Sequence, residues 1–167
     1  FMKFLVIGLG SMGKRRVRNL KALEYRDIAG FDTRQERTKF AASEYNISTF
    51  DDFDEAVKEF EPEAFVISTP PDLHMIYAYY AFERGIHCFI EGSVVDADKI
   101  LELSKKLKGT DTVIVPSCTM RFFPGSMEIK NLLNKGIIGK PLNFNYQSGQ
   151  YLPDWHPWEI IEDFYVS

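Results

Sequence analysis

The sequence is poor in cysteine and histidine, has no excess of positive charge, and contains no long apolar run. Its two cysteines, Cys88 and Cys118, lie thirty positions apart in a chain of 167 residues. That spacing fits neither a zinc site nor a disulfide framework, so we expect no metal and a reducing, cytoplasmic environment. The formal net charge is −4 and the pI is near 5.4, which argues against a nucleic-acid-binding surface. No apolar stretch reaches the length that crosses a bilayer, so we expect no membrane association.

Short apolar runs alternate with segments of helical periodicity along the first 135 residues. The apolar runs, which we interpret as strands, are residues 3–7, 28–31, 47–50, 64–67, 87–90 and 113–115. The segments of helical periodicity are residues 12–23, 35–45, 53–60, 73–84, 96 or 98 to 107, and 126–135. Repeated strand–helix units with nearly continuous apolar strands are typical of a parallel sheet covered on both faces. The pattern therefore predicts an α/β fold with the doubly wound parallel sheet of the Rossmann type.

The pattern changes after Gly139. Residues 142–151 alternate apolar or aromatic with polar side chains, as a half-exposed antiparallel strand does. We therefore predict a Rossmann domain in residues 1–123. Residues 124–167 are expected to form a linker helix and the first strand of an incomplete α+β domain. A lone strand leaves an edge that recruits another strand, so we expect a homo-oligomer formed through this strand.

The first predicted strand is followed by the glycine-rich turn Gly8-Leu9-Gly10-Ser11-Met12-Gly13 and then by a helix. A lone GxGxxG is a weak signal, but this one has the strand before it and the helix after it that a phosphate-binding turn needs. The first glycine permits the tight turn, the second lets a pyrophosphate approach the backbone, and the third lets the helix pack on the strand. The helix amino terminus, at Ser11, Met12 and Gly13, then offers free N–H groups to the phosphates.

The second predicted strand ends at Asp32, nineteen positions beyond Gly13. This is near the spacing of about 20 residues at which dinucleotide-binding folds place an acidic side chain on the adenosine ribose. A carboxylate accepts a hydrogen bond from a free 2′-hydroxyl and repels a 2′-phosphate, so Asp32 favours NAD. Arg34 keeps NADP open as a second cofactor, because its guanidinium can turn toward a phosphate. The competing interpretation is a glycine-rich turn followed by a solvated aspartate.

Several motifs together resemble the glucose–fructose oxidoreductase / inositol dehydrogenase family, also called Gfo/Idh/MocA. They are GLGSMGKRRVRNL, IAGFD, AFVISTPPDLH, IHCFIEG, MRFFPG, and GIIGKPL followed by GQYLPDWHPWE. The resemblance implies an N-terminal NAD(P)-binding Rossmann domain and a C-terminal α+β domain that carries the substrate pocket and usually the oligomer interface. It also implies hydride transfer between a nicotinamide and a sugar, sugar nucleotide or cyclitol.

By this resemblance, the segment STPPDLH lines the cofactor cleft near the ribose. The cofactor contacts that it implies in this segment are Ser68, Thr69, Pro70 and His74. His74 has an alternative interpretation of equal weight, a polar side chain near a helix start that makes one hydrogen bond.

The stretch that aligns with the family's Glu-Lys-Pro motif reads Glu91-Gly92-Ser93. In the family the lysine reaches the nicotinamide ribose and the substrate oxygen, and glycine supplies neither a cation nor a proton. Glu91 is expected near the cofactor and is a weak candidate for proton transfer, the alternative being a carboxylate that hydrogen-bonds nearby backbone. Arg121, a second weak candidate, either binds an anionic substrate group or forms a hinge salt bridge.

Two functions stay open at this point. The first is an NAD(P)-dependent oxidoreductase that acts on a sugar-type substrate. The aromatic side chains of Tyr151, Trp155 and Trp158 would suit the face of a sugar ring, the alternative being that they pack on the Rossmann core or on a neighbouring chain. The second is a catalytically inactive dinucleotide sensor or partner subunit, which Gly92 and Ser93 favour. Turnover by this chain alone is not expected, because the sequence offers neither an evident proton acceptor nor a complete substrate site.

Overall fold

Strands and helices alternate along the first of two compact units, Phe1–Ser117 and Cys118–Ser167. The computed structural model describes residues 2–92 and 96–147 and the single positions 149, 151 and 154. The strands are β1 (Phe4–Ile7), β2 (Ile28–Phe31), β3 (Ser48–Phe50), β4 (Ala64–Ile67), β5 (His87–Ile90) and β6 (Ile114–Pro116). The helices of this unit are α1 (Ser11–Ala22), α2 (Gln35–Tyr45), α3 (Phe53–Phe60), α4 (His74–Glu83) and α5 (Ala97–Lys106). Each element lies within two residues of its predicted bounds.

The described strands form one parallel sheet in the order β3-β2-β1-β4-β5-β6. The chain first builds outward from β1 through β2 to β3, then returns to the other side of β1 with β4. Ile7 is in register with Phe31 on one side and with Ile67 on the other, and Ile67 is in register with Ile90. The carboxyl ends of these four strands therefore meet at one edge. The order of strands reverses between β1 and β4, which is where ligands bind in sheets of this kind.

Two apolar clusters cover the two faces of the sheet, because successive strand residues point to opposite sides. Leu5 and Ile7 belong to the cluster under α3, α4 and α5, while Val6, between them, belongs to the cluster under α1 and α2. All three side chains are fully buried. Strands that are buried on both faces read as continuous apolar runs, which is why the sequence predicted them so closely.

The second unit contains a 3₁₀ turn, Thr119–Phe122, and the helix α6 (Pro124–Asn134). The predicted boundary after residue 123 thus lies inside this unit, between the turn and α6. Residues 141–147, 149 and 151 have no regular secondary structure, so the strand predicted for residues 142–151 is wrong over these positions. A strand requires a hydrogen-bonded neighbour, and the described residues of this unit offer none.

No helix in the described part of either unit has the length and apolarity that a membrane span requires.

Candidate functional site

The turn between β1 and α1 contains three glycines, and backbone geometry requires two of them. Gly8 has a φ of +88°, and a Cβ there would lie 2.8 Å from the carbonyl oxygen of Ser68. A Cβ on Gly13 would lie 1.8 Å from the carbonyl oxygen of Gly8, so α1 packs on β1 only because this side chain is missing. At Gly10 the nearest neighbour of an added Cβ would be Arg37 Nη1 at 3.5 Å, an ordinary contact. Packing within the chain therefore leaves room at position 10, where the sequence analysis expects a ligand to approach.

Helix α1 presents an uncapped amino terminus at this turn. Gly10 is the N-cap residue, no side chain caps the helix, and the first turn contains no acidic residue. Ser11 and Met12 in that turn are exposed. The first N–H groups of a helix have no intrahelical partner and lie at the positive end of its dipole. This end of α1 therefore has the electrostatics of a phosphate site.

Asp32 directly follows β2 and ties the glycine-rich turn to α2. Its Oδ2 accepts hydrogen bonds from the Leu9 N–H at 2.8 Å and from Arg37 Nη1 at 3.2 Å, and its Oδ1 accepts one from the Arg34 N–H at 3.0 Å. Only 5% of the residue is exposed, so the interpretation of a solvated aspartate is wrong. A carboxylate has about four acceptor positions, so one stays open for a ligand hydroxyl.

Arg37 is a site residue that the sequence analysis missed. It lies in the first turn of α2, and its guanidinium contacts the Asp32 carboxylate and lies beside Gly10. Arg34, the predicted cation, donates its backbone N–H to Asp32, and it also lines the neighbouring cavity. Side chains in a first helical turn tilt toward the helix amino terminus. A basic residue five positions after the acidic one was therefore a usable signal.

A cavity of about 210 Å³ lies beside Asp32, at the carboxyl ends of β1, β2 and β4. Tyr77 of α4 forms part of its wall together with Arg37, and neither residue was singled out from the sequence. Burial raises the pKa of the Tyr77 hydroxyl above its usual value, and the Asp32 carboxylate raises it further. The hydroxyl therefore stays protonated at neutral pH and can donate a hydrogen bond. The predicted site residues on the cavity wall are Gly8, Asp32, Arg34, Ser68, Thr69 and Pro70.

The loop after β4 contains polar atoms that are buried without a protein partner. Ser68 Oγ, Thr69 Oγ1 and His74 Nδ1 make no hydrogen bond to any described residue. His74 is 1% exposed, and its Nε2 lies 2.8 Å from the Thr69 carbonyl oxygen, to which it donates. That single bond at the start of α4 matches the alternative interpretation of His74, while a direct contact with a cofactor stays a prediction. Buried polar atoms without partners are costly, so they favour a polar ligand near this loop.

Glu91 follows β5 on the other side of β4 and forms an ion pair that the sequence analysis did not anticipate. Its carboxylate accepts a hydrogen bond from Arg16 Nε of α1, with the side chains 11% and 16% exposed, respectively. The Arg16 guanidinium also lies 4.9 Å from the centre of the Phe89 ring. The alternative in which the Glu91 carboxylate bonds only nearby backbone is therefore wrong, because its partner is the Arg16 side chain.

Gly92 and Arg121 complete the set of predicted positions. A Cβ on Gly92 would have Ser117 O as its nearest neighbour, at 3.9 Å, so packing does not demand glycine there. Arg121 belongs to the second unit, where it lies exposed in the 3₁₀ turn. The remaining positions named from the sequence, Ser93, Trp155 and Trp158, lie outside the described residues. In the described part of the chain, no three His, Cys, Asp or Glu side chains are grouped to hold a metal ion.

The fold and the site together define a class of protein. A parallel sheet of order 3-2-1-4-5-6, a glycine-rich turn at the amino terminus of α1 and an acidic residue at the end of β2 are the features of a dinucleotide-binding Rossmann domain. Residues 2–114 match the model of the oxidoreductase family with an NAD-binding Rossmann fold, GFO_IDH_MocA. The chain belongs to this family, as the motifs of the sequence predicted.

The proteins to which the chain is similar include a hydratase and inositol dehydrogenases. The chain is 28% identical over 144 residues to the 2,7-anhydro-N-acetylneuraminate hydratase of Mediterraneibacter gnavus. The aligned region covers 83% of this chain and 37% of the relative. A crystal structure of myo-inositol 2-dehydrogenase from Lactobacillus plantarum has a TM-score of 0.74 at 21% identity, covering 83% of this chain and 42% of that one. A structure of scyllo-inositol dehydrogenase from Lactobacillus casei with bound NAD(H) and scyllo-inositol has a TM-score of 0.74 at 23% identity, with the same coverage. The chain thus spans about two fifths of the length of these proteins.

Proposed function

We propose that this chain is the NAD-binding part of an oxidoreductase that acts on a sugar or cyclitol. The observation that carries the proposal is the Asp32 carboxylate, fixed by Leu9 and Arg37 beside both the glycine-rich turn and the cavity. In a dinucleotide-binding fold this arrangement serves the adenosine ribose on one side and the pyrophosphate on the other.

Each part of the site has a role in this proposal. The uncapped amino terminus of α1, reached over Gly10, holds the pyrophosphate. The open acceptor position of Asp32 receives a ribose hydroxyl, and the hydroxyls of Ser68 and Thr69 offer further hydrogen bonds. When bound, NAD would supply the acceptor or donor of a hydride, and the chain's own residues bind and orient it.

The same geometry supports a preference for NAD over NADP. Asp32 disfavours a 2′-phosphate by charge repulsion, while Arg34 and Arg37 beside it offset part of that repulsion. We therefore propose strong NAD binding and weaker but measurable NADP binding.

The substrate class rests on similar proteins rather than on described residues. Two of the similar structures are of inositol dehydrogenases, which supports a polyol or cyclitol substrate. The name of the similar hydratase supports leaving the net reaction open, because one fold can serve different reactions. A cytoplasmic location is part of the proposal, supported by two unpaired cysteines.

Self-association is also proposed, supported by apolar side chains of the second unit. Leu142, Phe144 and Tyr146 are 94%, 72% and 60% exposed, and such side chains favour a protein contact. Light scattering at working concentration tests this, and a monomer mass would count against it.

Calorimetric titration with NAD, NADH and NADP tests the cofactor assignment. The decisive variant is Gly10→Ala, because the added methyl group fits the free chain but occupies the path of the pyrophosphate. We expect the variant to fold normally and to lose at least about tenfold in NAD affinity, which is about 1.4 kcal/mol. Gly125→Ala in α6, where a Cβ meets only the Phe123 ring at 3.7 Å, is the matched control and should bind normally. Absence of binding of any dinucleotide to the unmodified chain would refute the proposal.

A further inference from the structure

A partly buried ion pair joins three elements at the same edge of the sheet as Asp32, on the other side of β4. Arg16 extends from α1 and donates through Nε to the Glu91 carboxylate, just after β5. Its Nη2 lies 3.5 Å from Ser117 Oγ, just after β6, and its guanidinium stacks near Phe89. These contacts hold one positive and one negative charge at a fixed place, since a guanidinium near an aromatic ring and a carboxylate has little freedom.

This pair lies on the nicotinamide side of the proposed binding site. Asp32, after β2, marks the adenosine half, and a dinucleotide at the switch point extends across β1 toward β4 and β5. Glu91 follows β5, and its N–H donates to the Ile67 carbonyl at the end of β4. The ion pair therefore belongs to the half of the sheet edge that faces the nicotinamide, an assignment that rests on the proposed function.

Among the described residues around the ends of β5 and β6, Arg16 supplies positive charge to this half of the site. Between Glu91 and Asp98 the sequence contains no lysine or arginine, and Gly92 has no side chain. Of the described residues that directly follow β4, β5 and β6, none is basic. Positive charge reaches the ends of β5 and β6 from α1 instead, through Arg16.

We propose that the Arg16–Glu91 pair sets the relative affinity of the site for oxidised and reduced nicotinamide. The oxidised ring carries a positive charge and the reduced ring is neutral. A carboxylate near the ring stabilises the oxidised form, and a guanidinium near it does the opposite, so the intact pair balances the two. Arg16 is thus a charge-balancing residue, which offsets the charge of Glu91 and also holds its carboxylate in place.

The test measures the ratio of the dissociation constants of NADH and NAD by calorimetry. Arg16→Met leaves Glu91 unpaired and should raise this ratio about fivefold, because NAD gains relative to NADH. Glu91→Gln leaves Arg16 unpaired and should lower the ratio by a similar factor. The double variant removes both charges, so the two opposite shifts should cancel and the ratio should return close to its original value, as expected when the two charges act on the ring independently.

Two controls separate charge from structure. Arg15→Met removes the same charge from the exposed neighbouring position of α1 and should leave the ratio unchanged. Arg16→Lys keeps the charge and should restore the ratio even if both affinities change. Circular dichroism and thermal unfolding check that every variant is folded.

Three results would overturn the idea. Equal weakening of NAD and NADH in both single variants would leave only a scaffold role for the pair. Shifts of the ratio in the same direction would also refute it, as would a change of equal size in Arg15→Met. Failure of the unmodified chain to bind either form would instead refute the proposed function itself.

Discussion

Three hydrogen bonds converge on the Asp32 carboxylate, from the backbone of Leu9 and Arg34 and from the side chain of Arg37. Each hydrogen bond to a charged group contributes about 1.5–3 kcal/mol, so the carboxylate is fixed before any ligand arrives. Only the Arg37 bond comes from a side chain that can turn away. Arg37 is therefore the residue at which the choice between a hydroxyl and a phosphate can be altered without moving the backbone.

Arg37→Gln tests this residue. Losing the guanidinium removes positive charge that a 2′-phosphate needs, while Asp32 keeps its two backbone donors. We expect NADP affinity to fall about tenfold and NAD affinity to change less than about threefold, measured by calorimetry. Arg34→Gln is the comparison. A larger effect of that variant on NADP would return the role to Arg34.

Gly13 and Gly10 provide a matched pair for stability. A methyl group on Gly13 would collide with the backbone of Gly8, whereas one on Gly10 makes an ordinary contact with Arg37. Because backbone atoms cannot yield as side chains do, Gly13→Ala should cost about 3 kcal/mol of unfolding free energy. Gly10→Ala should cost less than about 1 kcal/mol. Urea unfolding measures both, and equal midpoints would contradict the packing described for α1.

At the scale of elements, β5 is distinguished by a thiol that is buried in the apolar cluster under α3, α4 and α5. Cys88 is 2% exposed, and burial raises the pKa of its thiol from 9.0 to about 12. The unfolded chain therefore releases this proton at lower pH than the native chain does. The contribution of the buried, neutral thiol to the free energy of unfolding is therefore complete below pH 9 and is lost as the pH rises from 9 toward 12.

We expect Cys88→Ala to flatten the fall of stability in that alkaline range, which amounts to about 1.4 kcal/mol per pH unit for one thiol. Urea unfolding at pH 8, 9 and 10 measures this slope. Cys118 is exposed, so Cys118→Ala is the control and should leave the slope unchanged.

A thiol reagent should modify one cysteine in the native chain and two in urea. Rapid modification of both in the native chain would show that β5 is open to solvent.

The elements also show what could be predicted from the sequence. The sheet could, because strands buried on both faces leave apolar runs and the glycine-rich turn fixes the first crossover. The irregular backbone of residues 141–147 could not, because an alternating pattern says which side chains would share a face of a strand and nothing about a pairing partner. The partner of Glu91 was hidden by distance along the chain. A signal for it existed, since Arg16 lies three positions after Gly13 and four before Leu20, on the buried stripe of α1.

At the scale of the whole molecule, the buried apolar residues in the described part of the chain belong to one unit. Every buried member of the two clusters lies between Leu5 and Leu103, within the first unit. A unit that contains its own core is able to fold alone. We expect a chain of residues 1–117 to unfold cooperatively in urea with a midpoint close to that of the full chain, followed by circular dichroism. Loss of cooperativity would mean that residues 118–167 supply stability that the core composition does not indicate.

The hydrogen bond between Leu9 and Asp32 has a consequence for the rate of recognition. It closes the glycine-rich turn against the next strand in the free chain, so the turn does not have to be ordered when a ligand arrives. Because the turn is already ordered in the folded chain, binding does not include the loss of conformational entropy that ordering it would cause. Dinucleotide capture should then proceed as a single encounter limited by diffusion and orientation, with no slow rearrangement of the turn after contact.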